Sequence, residues 1–198
     1  MRMPTFLDGL PVAREAALYA SEQHRGQSRD SDDAPFILHP LEVAALLHNT
    51  GHSEVVVAAG LLHDTIEDTD ARKDEIANRF GSEVAGLVDA LTEDPQIESF
   101  EERKSALRRQ VADFTDDHAA AVYAADKVAK VREFRAEVTH DPQLLADDDP
   151  PGRAKLDHYC ESLSMLERER PDHQLVRQLR FELEAFQMLP PGAAPSVG

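Results

Sequence analysis

The sequence predicts an all-α domain, a single helical bundle of about eight to ten helices. Three observations carry that reading. Apolar residues recur at helical spacing along most of the 198 residues, and no stretch shows sustained period-two alternation between turn signals. Helix punctuation also recurs, with Pro11, Ser53 and Ser82 at starts and Gly26, Gly51 and Gly81 at ends. Finally, no repeat appears at solenoid periods, and the length suits one sizeable core. The domain is assigned to residues 1–188, and the Pro/Gly/Ala-rich segment 189–198 is expected to be a disordered tail.

In chain order, Pro11 opens a helix through AREAALYASEQH towards Gly26, and the polar stretch SRDSDDA reads as a loop. His39-Pro40 starts LEVAALLHNTG, whose Val43, Leu46 and Leu47 form an apolar stripe that Gly51 ends. Ser53 is placed as the N-cap of a single helix EVVVAAGLLHDTIED, apolar on every side as a central helix should be. ARKDEIANRF forms a short helix to Gly81, and Ser82 is placed as the cap of EVAGLVDALTED. Helices follow over 100–113 and from Asp116 through AAAVYAADKVAKVREFRAEV. LLADDDPPG reads as a loop, and two amphipathic helices over about 152–169 and 172–188 close the domain.

Composition narrows the function. With 21 Lys+Arg against 38 Asp+Glu, the formal net charge is −17, so most of the surface repels a phosphate backbone. Duplex nucleic acid is not expected as a partner. A small phosphorylated ligand needs only a local basic pocket or a metal ion. The one cysteine, Cys160, excludes an intrachain disulfide and is expected to be a small buried side chain. The N-terminus lacks the apolar run of a signal peptide, and no segment approaches the roughly 20 apolar residues of a spanning helix. The expectation is a soluble, cytoplasmic protein with no membrane partner.

The chemistry concentrates in LLHDTIEDTD, residues 61–70, where a histidine and four acidic residues follow two leucines. His63 and Glu67 are four apart, as are Asp64 and Asp68, so on a helix each pair shares a face. Acidic residues at a helix C-terminus oppose the macrodipole unless a cation offsets them. An imidazole beside a carboxylate suits a divalent transition metal. His39 stands before Pro40 at the start of a helix, where its side chain is held stiffly. A histidine so placed is more often structural when it stands alone. Asp126 is conspicuous in the apolar AVYAADKVAKV, although an i,i+4 pair with Lys130 would also account for it.

The ordered set His39, His63-Asp64 and Asp126 resembles the HD superfamily of metal-dependent phosphohydrolases. More closely, HRGQSR, PFILHPLEVAALL, AAGLLHDTIEDTD and IANRFGSEVAGLVDALTE resemble the hydrolase domain of RelA/SpoT-type proteins and stand-alone small alarmone hydrolases. The resemblance covers residues 10–135 or so and is weaker beyond them. It implies a mostly helical fold, a single bound Mn²⁺ per chain and hydrolysis of the 3′-pyrophosphate of (p)ppGpp. It further implies that His39, His63, Asp64 and Asp126 hold the metal. Glu67 and Asp68 would position the attacking water and exchange protons with it. Arg29 would lie against the base, and Lys104 would contact substrate.

Three positions depart from the family pattern. Asp30 stands where a lysine is common, Lys130 replaces the asparagine of DKxxN, and Lys155, with Tyr159 four residues on, replaces an arginine. All three fall on expected substrate contacts, while the metal set is complete. The primary expectation is therefore a (p)ppGpp 3′-pyrophosphohydrolase. The alternatives are an HD phosphohydrolase for another nucleotide, such as NADPH or a nucleoside phosphate, and a non-hydrolysing nucleotide sensor. The intact Glu67-Asp68 pair argues against the sensor, since binding alone does not require it.

Overall fold

The computed structural model describes residues 3–114, 116–145 and 150–188. Among them lie ten α-helices: α1 (Pro11–Gln23), α2 (Leu38–Asn49), α3 (Glu54–Leu62), α4 (Thr65–Asp68), α5 (Lys73–Phe80), α6 (Ser82–Leu91), α7 (Phe100–Ala112), α8 (Asp117–His140), α9 (Pro150–Glu169) and α10 (Gln174–Glu184). Short 3₁₀ turns occupy Thr5–Leu7, Pro142–Leu145 and Ala185–Met188. The all-α architecture follows the sequence expectation, and the segment 189–198, expected to be disordered, lies outside the described residues. Among the described residues no helix is long and apolar enough to cross a membrane.

The core forms around α3. Every residue from Val56 to Leu62 is buried, and the helix packs against α1, α2, α6 and α8. Gly60 permits a close approach to α2, because a Cβ there would lie 2.5 Å from Leu47 Cδ1 and 3.3 Å from Val43 Cγ1. Six alanines of α8 (Ala119, Ala120, Ala121, Ala124, Ala125 and Ala129) are buried. Their small side chains let α8 run through the interior beside α2, α3 and α10. Glu182 ties α10 to α8 by accepting from Arg132 Nε at 2.7 Å and Arg135 Nη1 at 2.6 Å. The structure thus presents α8 as a rigid member of the core that can also carry polar groups.

Several local expectations need correction. The helix expected over EVVVAAGLLHDTIED breaks after Leu62 and resumes as α4. At the break the Thr65 hydroxyl donates to the Leu62 carbonyl at 2.6 Å, supplying a side-chain alternative to the backbone ladder. Asp64 at φ −91°, ψ −5° turns the chain. Ser53 occupies the N-cap position of α3, yet its side chain makes no capping bond. The neighbouring Glu54 instead accepts from the backbone N–H groups of Val12 and Ala13, at 2.6 and 3.2 Å, closing the start of α1. The cap of α6 is Gly81 at φ +96°, and Ser82 is already helical. Pro150, Pro151 and Gly152 belong to the first turn of α9 rather than to a loop, consistent with proline's tolerance there. Cys160 is exposed, not buried.

Candidate metal centre and active site

His63 terminates α3, His39 lies in the first turn of α2, and Asp126 sits midway along α8. All three are buried, and one potential ligand atom from each lies within 4.8 Å of the others. Asp126 Oδ1 is 3.1 Å from His39 Nε2 and 3.5 Å from His63 Nε2. Asp64 lies beside this group, with Oδ1 3.1 Å from His63 Nε2 and Oδ2 3.6 Å from His39 Nε2. Sequence positions 39, 63, 64 and 126 therefore converge on one point.

The local geometry prepares these side chains for a cation. His63 Nδ1 lies 2.8 Å from the Gly60 carbonyl, an acceptor only, so Nδ1 keeps its proton and Nε2 faces the carboxylates, where a metal would take the place of the second proton. His63 Nε2, His39 Nδ1 and Asp64 Oδ2 are buried without hydrogen-bond partners. Orphaned polar atoms of this kind are costly unless something else satisfies them. Burial opposes a charged imidazole, yet Asp64 and Asp126 push the His63 pKa up to about 10. Despite burial, Lys127 and the two imidazoles hold Asp126 well below the usual carboxylate range. Two imidazole nitrogens and two ionised carboxylates in a field that attracts positive charge fit a divalent metal. Asp126 does not pair with Lys130 as one sequence reading allowed. Its Oδ2 accepts from Lys127 Nζ at 2.6 Å, while Lys130 Nζ lies 4.0 Å from Asp64 Oδ2.

Glu67 and Asp68 follow on α4, and both carboxyls are shifted upward. Burial is the main cause in each, reinforced by Glu93 at Glu67 and by Asp64 at Asp68. Glu67 Oε2 accepts from the backbone N–H of Glu93 at 3.2 Å. Gln27 Nε2 donates to the Asp68 carbonyl at 2.9 Å, fastening α4 to the loop after α1. Carboxyls raised in this way exchange protons closer to neutral pH than ordinary ones do.

A cavity of about 640 Å³ opens beside His39 and Asp68. Arg29, Lys104, Lys130, Lys155 and Tyr159, the residues expected from sequence to touch substrate, all line it. So do Asp30 and Lys127. The cations are held in place by acids. Arg29 donates to Asp32 Oδ1 at 3.1 Å and to Glu133 Oε1 at 3.2 Å. Lys155 donates to Glu137 at 3.2 Å, and Lys104 pairs with the buried Glu93. Lys130 Nζ also stands 5.8 Å from the centroid of the Phe36 ring.

Sequence reasoning missed Phe36, Lys127, Glu133, Glu137 and His158, which line the same cavity. One signal was present. Asp126, Lys130, Glu133 and Glu137 recur at spacings of four, three and four, a polar stripe on one face of the helix. His158 offered no such signal. Its Nδ1 accepts from Arg108 Nη1 at 2.8 Å, and burial together with Lys127, Lys104 and Arg108 lowers its pKa to about 2. It is a neutral acceptor in the cavity wall.

Residues 16–148 match the HD domain family model. Human guanosine-3′,5′-bis(diphosphate) 3′-pyrophosphohydrolase MESH1 is 39% identical over 123 residues, which cover 61% of this chain and 68% of that protein. A GTP pyrophosphokinase of Myxococcus xanthus is 47% identical over 83 residues, covering 42% of this chain. The match spans only 11% of that longer protein. Among solved structures, a metazoan ortholog of SpoT described as hydrolysing ppGpp superposes with a TM-score of 0.70 at 26% identity, covering 95% of this chain and 98% of the other. A Listeria monocytogenes EGD-e protein gives 0.63 at 29% identity, over 75% of this chain and 98% of its own. The chain belongs to the HD-domain family, in the RelA/SpoT-like hydrolase branch that includes MESH1.

Proposed function

We propose that this chain hydrolyses the 3′-pyrophosphate of ppGpp or pppGpp, releasing pyrophosphate and leaving GDP or GTP. The observation that carries this reading is the joining of a buried His/His/Asp cluster to a cavity lined by Arg29, Lys104, Lys127, Lys130 and Lys155. Five cations gathered in one cleft of a chain with net charge −17 suit a ligand bearing several phosphates. The resemblance to MESH1 supports the same substrate.

His39, His63, Asp64 and Asp126 would hold one Mn²⁺ per chain. When bound, the ion supplies Lewis-acid polarisation of the phosphoryl group and acidifies water enough for attack near neutral pH. The protein's own residues do the rest. Lys130, Lys104 and Lys155 neutralise and orient the phosphates, while the Arg29 guanidinium and Tyr159 hold the nucleoside. Water attacks the phosphorus attached to the ribose 3′ oxygen, and the bond between them breaks. Glu67 and Asp68, with their raised carboxyls, take the water's proton and return one to the departing ribose oxygen.

Purified protein incubated with ppGpp and Mn²⁺ should yield GDP and pyrophosphate, separable by anion-exchange chromatography. Chelation should abolish turnover, and added Mn²⁺ should restore it. Absence of ppGpp turnover, alongside clear turnover of NADPH or another nucleotide, would replace alarmone hydrolysis with a different HD phosphohydrolase activity.

A further inference from the structure

Glu133 stands between two parts of the molecule that sequence separates widely. It projects from α8 one helical turn beyond Lys130 and two beyond Asp126. Its Oε1 accepts from Arg29 Nη1 at 3.2 Å and faces His39 Nδ1 at 3.5 Å. One carboxylate oxygen therefore has the loop's guanidinium on one side and the buried imidazole on the other. At 3.5 Å the second approach is electrostatic rather than a well-formed hydrogen bond, and His39 Nδ1 makes no other bond.

The loop end of this contact is built as firmly as the helix end. The backbone N–H of Arg29 donates to the Ala34 carbonyl at 2.8 Å, and its own carbonyl accepts from Asp33 at 3.1 Å. Asp33 adopts a positive φ of 56°, and Ser28 bridges to Pro35. The Arg29 side chain thus reaches Glu133 from a fixed turn.

We infer that Glu133 is a positioning residue that couples the Arg29 wall of the cavity to the metal centre through His39. The inference rests on the metal reading proposed above. To give its Nε2 lone pair to a metal, His39 must carry its proton on Nδ1. An anion opposite Nδ1 favours that tautomer, fixes the ring and makes Nε2 a stronger donor. Arg29 draws on the same oxygen. A ligand that engages the guanidinium and pulls it away leaves the Glu133 charge to His39 alone. Occupancy at Arg29 and metal affinity then reinforce each other, and by linkage the reinforcement is mutual.

A mutant cycle read by calorimetric titration of metal-free protein with MnCl₂ tests this without nucleotide or turnover. Glu133→Ala should weaken Mn²⁺ binding by about 10–100-fold, and Glu133→Gln, which keeps an acceptor but loses the charge, by less. Arg29→Ala should tighten Mn²⁺ binding severalfold in the parent, and most of that gain should vanish in the Glu133→Ala background. Thermal melts of each metal-free variant identify folded protein, and Glu133→Gln supplies the comparison if the alanine variant does not fold. Folded Glu133 variants that bind Mn²⁺ within about twofold of the parent would overturn the coupling, as would an Arg29→Ala gain that persists in their background. A parent that binds no Mn²⁺ would instead overturn the metal reading, and the coupling with it.

Discussion

At the scale of single residues, the Glu67 and Asp68 carboxyls carry the clearest kinetic expectation. Glu67→Gln or Asp68→Asn should leave Mn²⁺ content near that of the parent while lowering turnover by about 10²–10⁴-fold. Loss of metal from either variant would move that residue into the ligand set. In the proposed mechanism the same carboxyls would set the acidic limb of the pH–rate profile. Both are shifted upward by burial and neighbouring acids, and a base must be ionised to accept a proton. Turnover should therefore fall as pH drops through values above the ordinary carboxylate range, and a limb at the unperturbed value would contradict their role as proton acceptors. Lys130, in the proposed reading, bears on substrate rather than on water. Lys130→Asn should raise KM for ppGpp severalfold while kcat changes by no more than about twofold. Stacking on the Arg29 guanidinium does not by itself select guanine over adenine, so steady-state comparison with the adenine analogue should show weak discrimination.

At the scale of elements, the join between α3 and α4 decides where the chemistry sits. Gly60 brings α3 against α2 and presents its carbonyl to His63, so a side chain there disturbs packing and the His63 ring together. Gly60→Ala should destabilise the fold by about 1–3 kcal/mol, measured by urea unfolding of metal-free protein. Unchanged stability would mean that Leu47 and Val43 can move aside. This join also marks what the sequence could and could not disclose. The apolar run VVVAAGLL identified a central helix, and the HDxxED pattern identified the residues at its end. The break after Leu62 was not legible, because it arises from the Thr65 hydroxyl competing for a helix carbonyl, which periodicity does not register. Similarly, Glu54 reads as an ordinary first-turn acid, and its bonds to the start of α1 require the two helices to be docked. Glu133 and Glu137 lay within reach, since they continue the Asp126–Lys130 stripe. His158 and Lys127 did not, because their neighbours come from other elements.

At the scale of the whole molecule, buried charge makes the fold sensitive to acid. His158 is held neutral by burial and by Lys127, Lys104 and Arg108, with its pKa lowered to about 2. The unfolded chain binds a proton there below the ordinary histidine value near 6.5, while the folded chain does not, so His158 costs stability as pH falls through that value. His158→Gln, which can still accept from Arg108, should flatten the decline between pH 6 and pH 4 by up to about 1.4 kcal/mol per pH unit. Parallel parent and variant curves in chemical denaturation would show that His158 is charged in the folded protein. The polar stripe on α8 has a consequence of another kind. Asp126 and Glu137 are eleven residues apart on one helix, a span of about 16 Å at the helical rise. The helix is therefore a ruler laid along the cavity, with the proposed metal ligand Asp126 at its zero and the Glu137–Lys155 pair as its far mark. A ligand anchored at the proposed metal and laid along α8 would leave that pair closed if shorter than the ruler and would part it if longer.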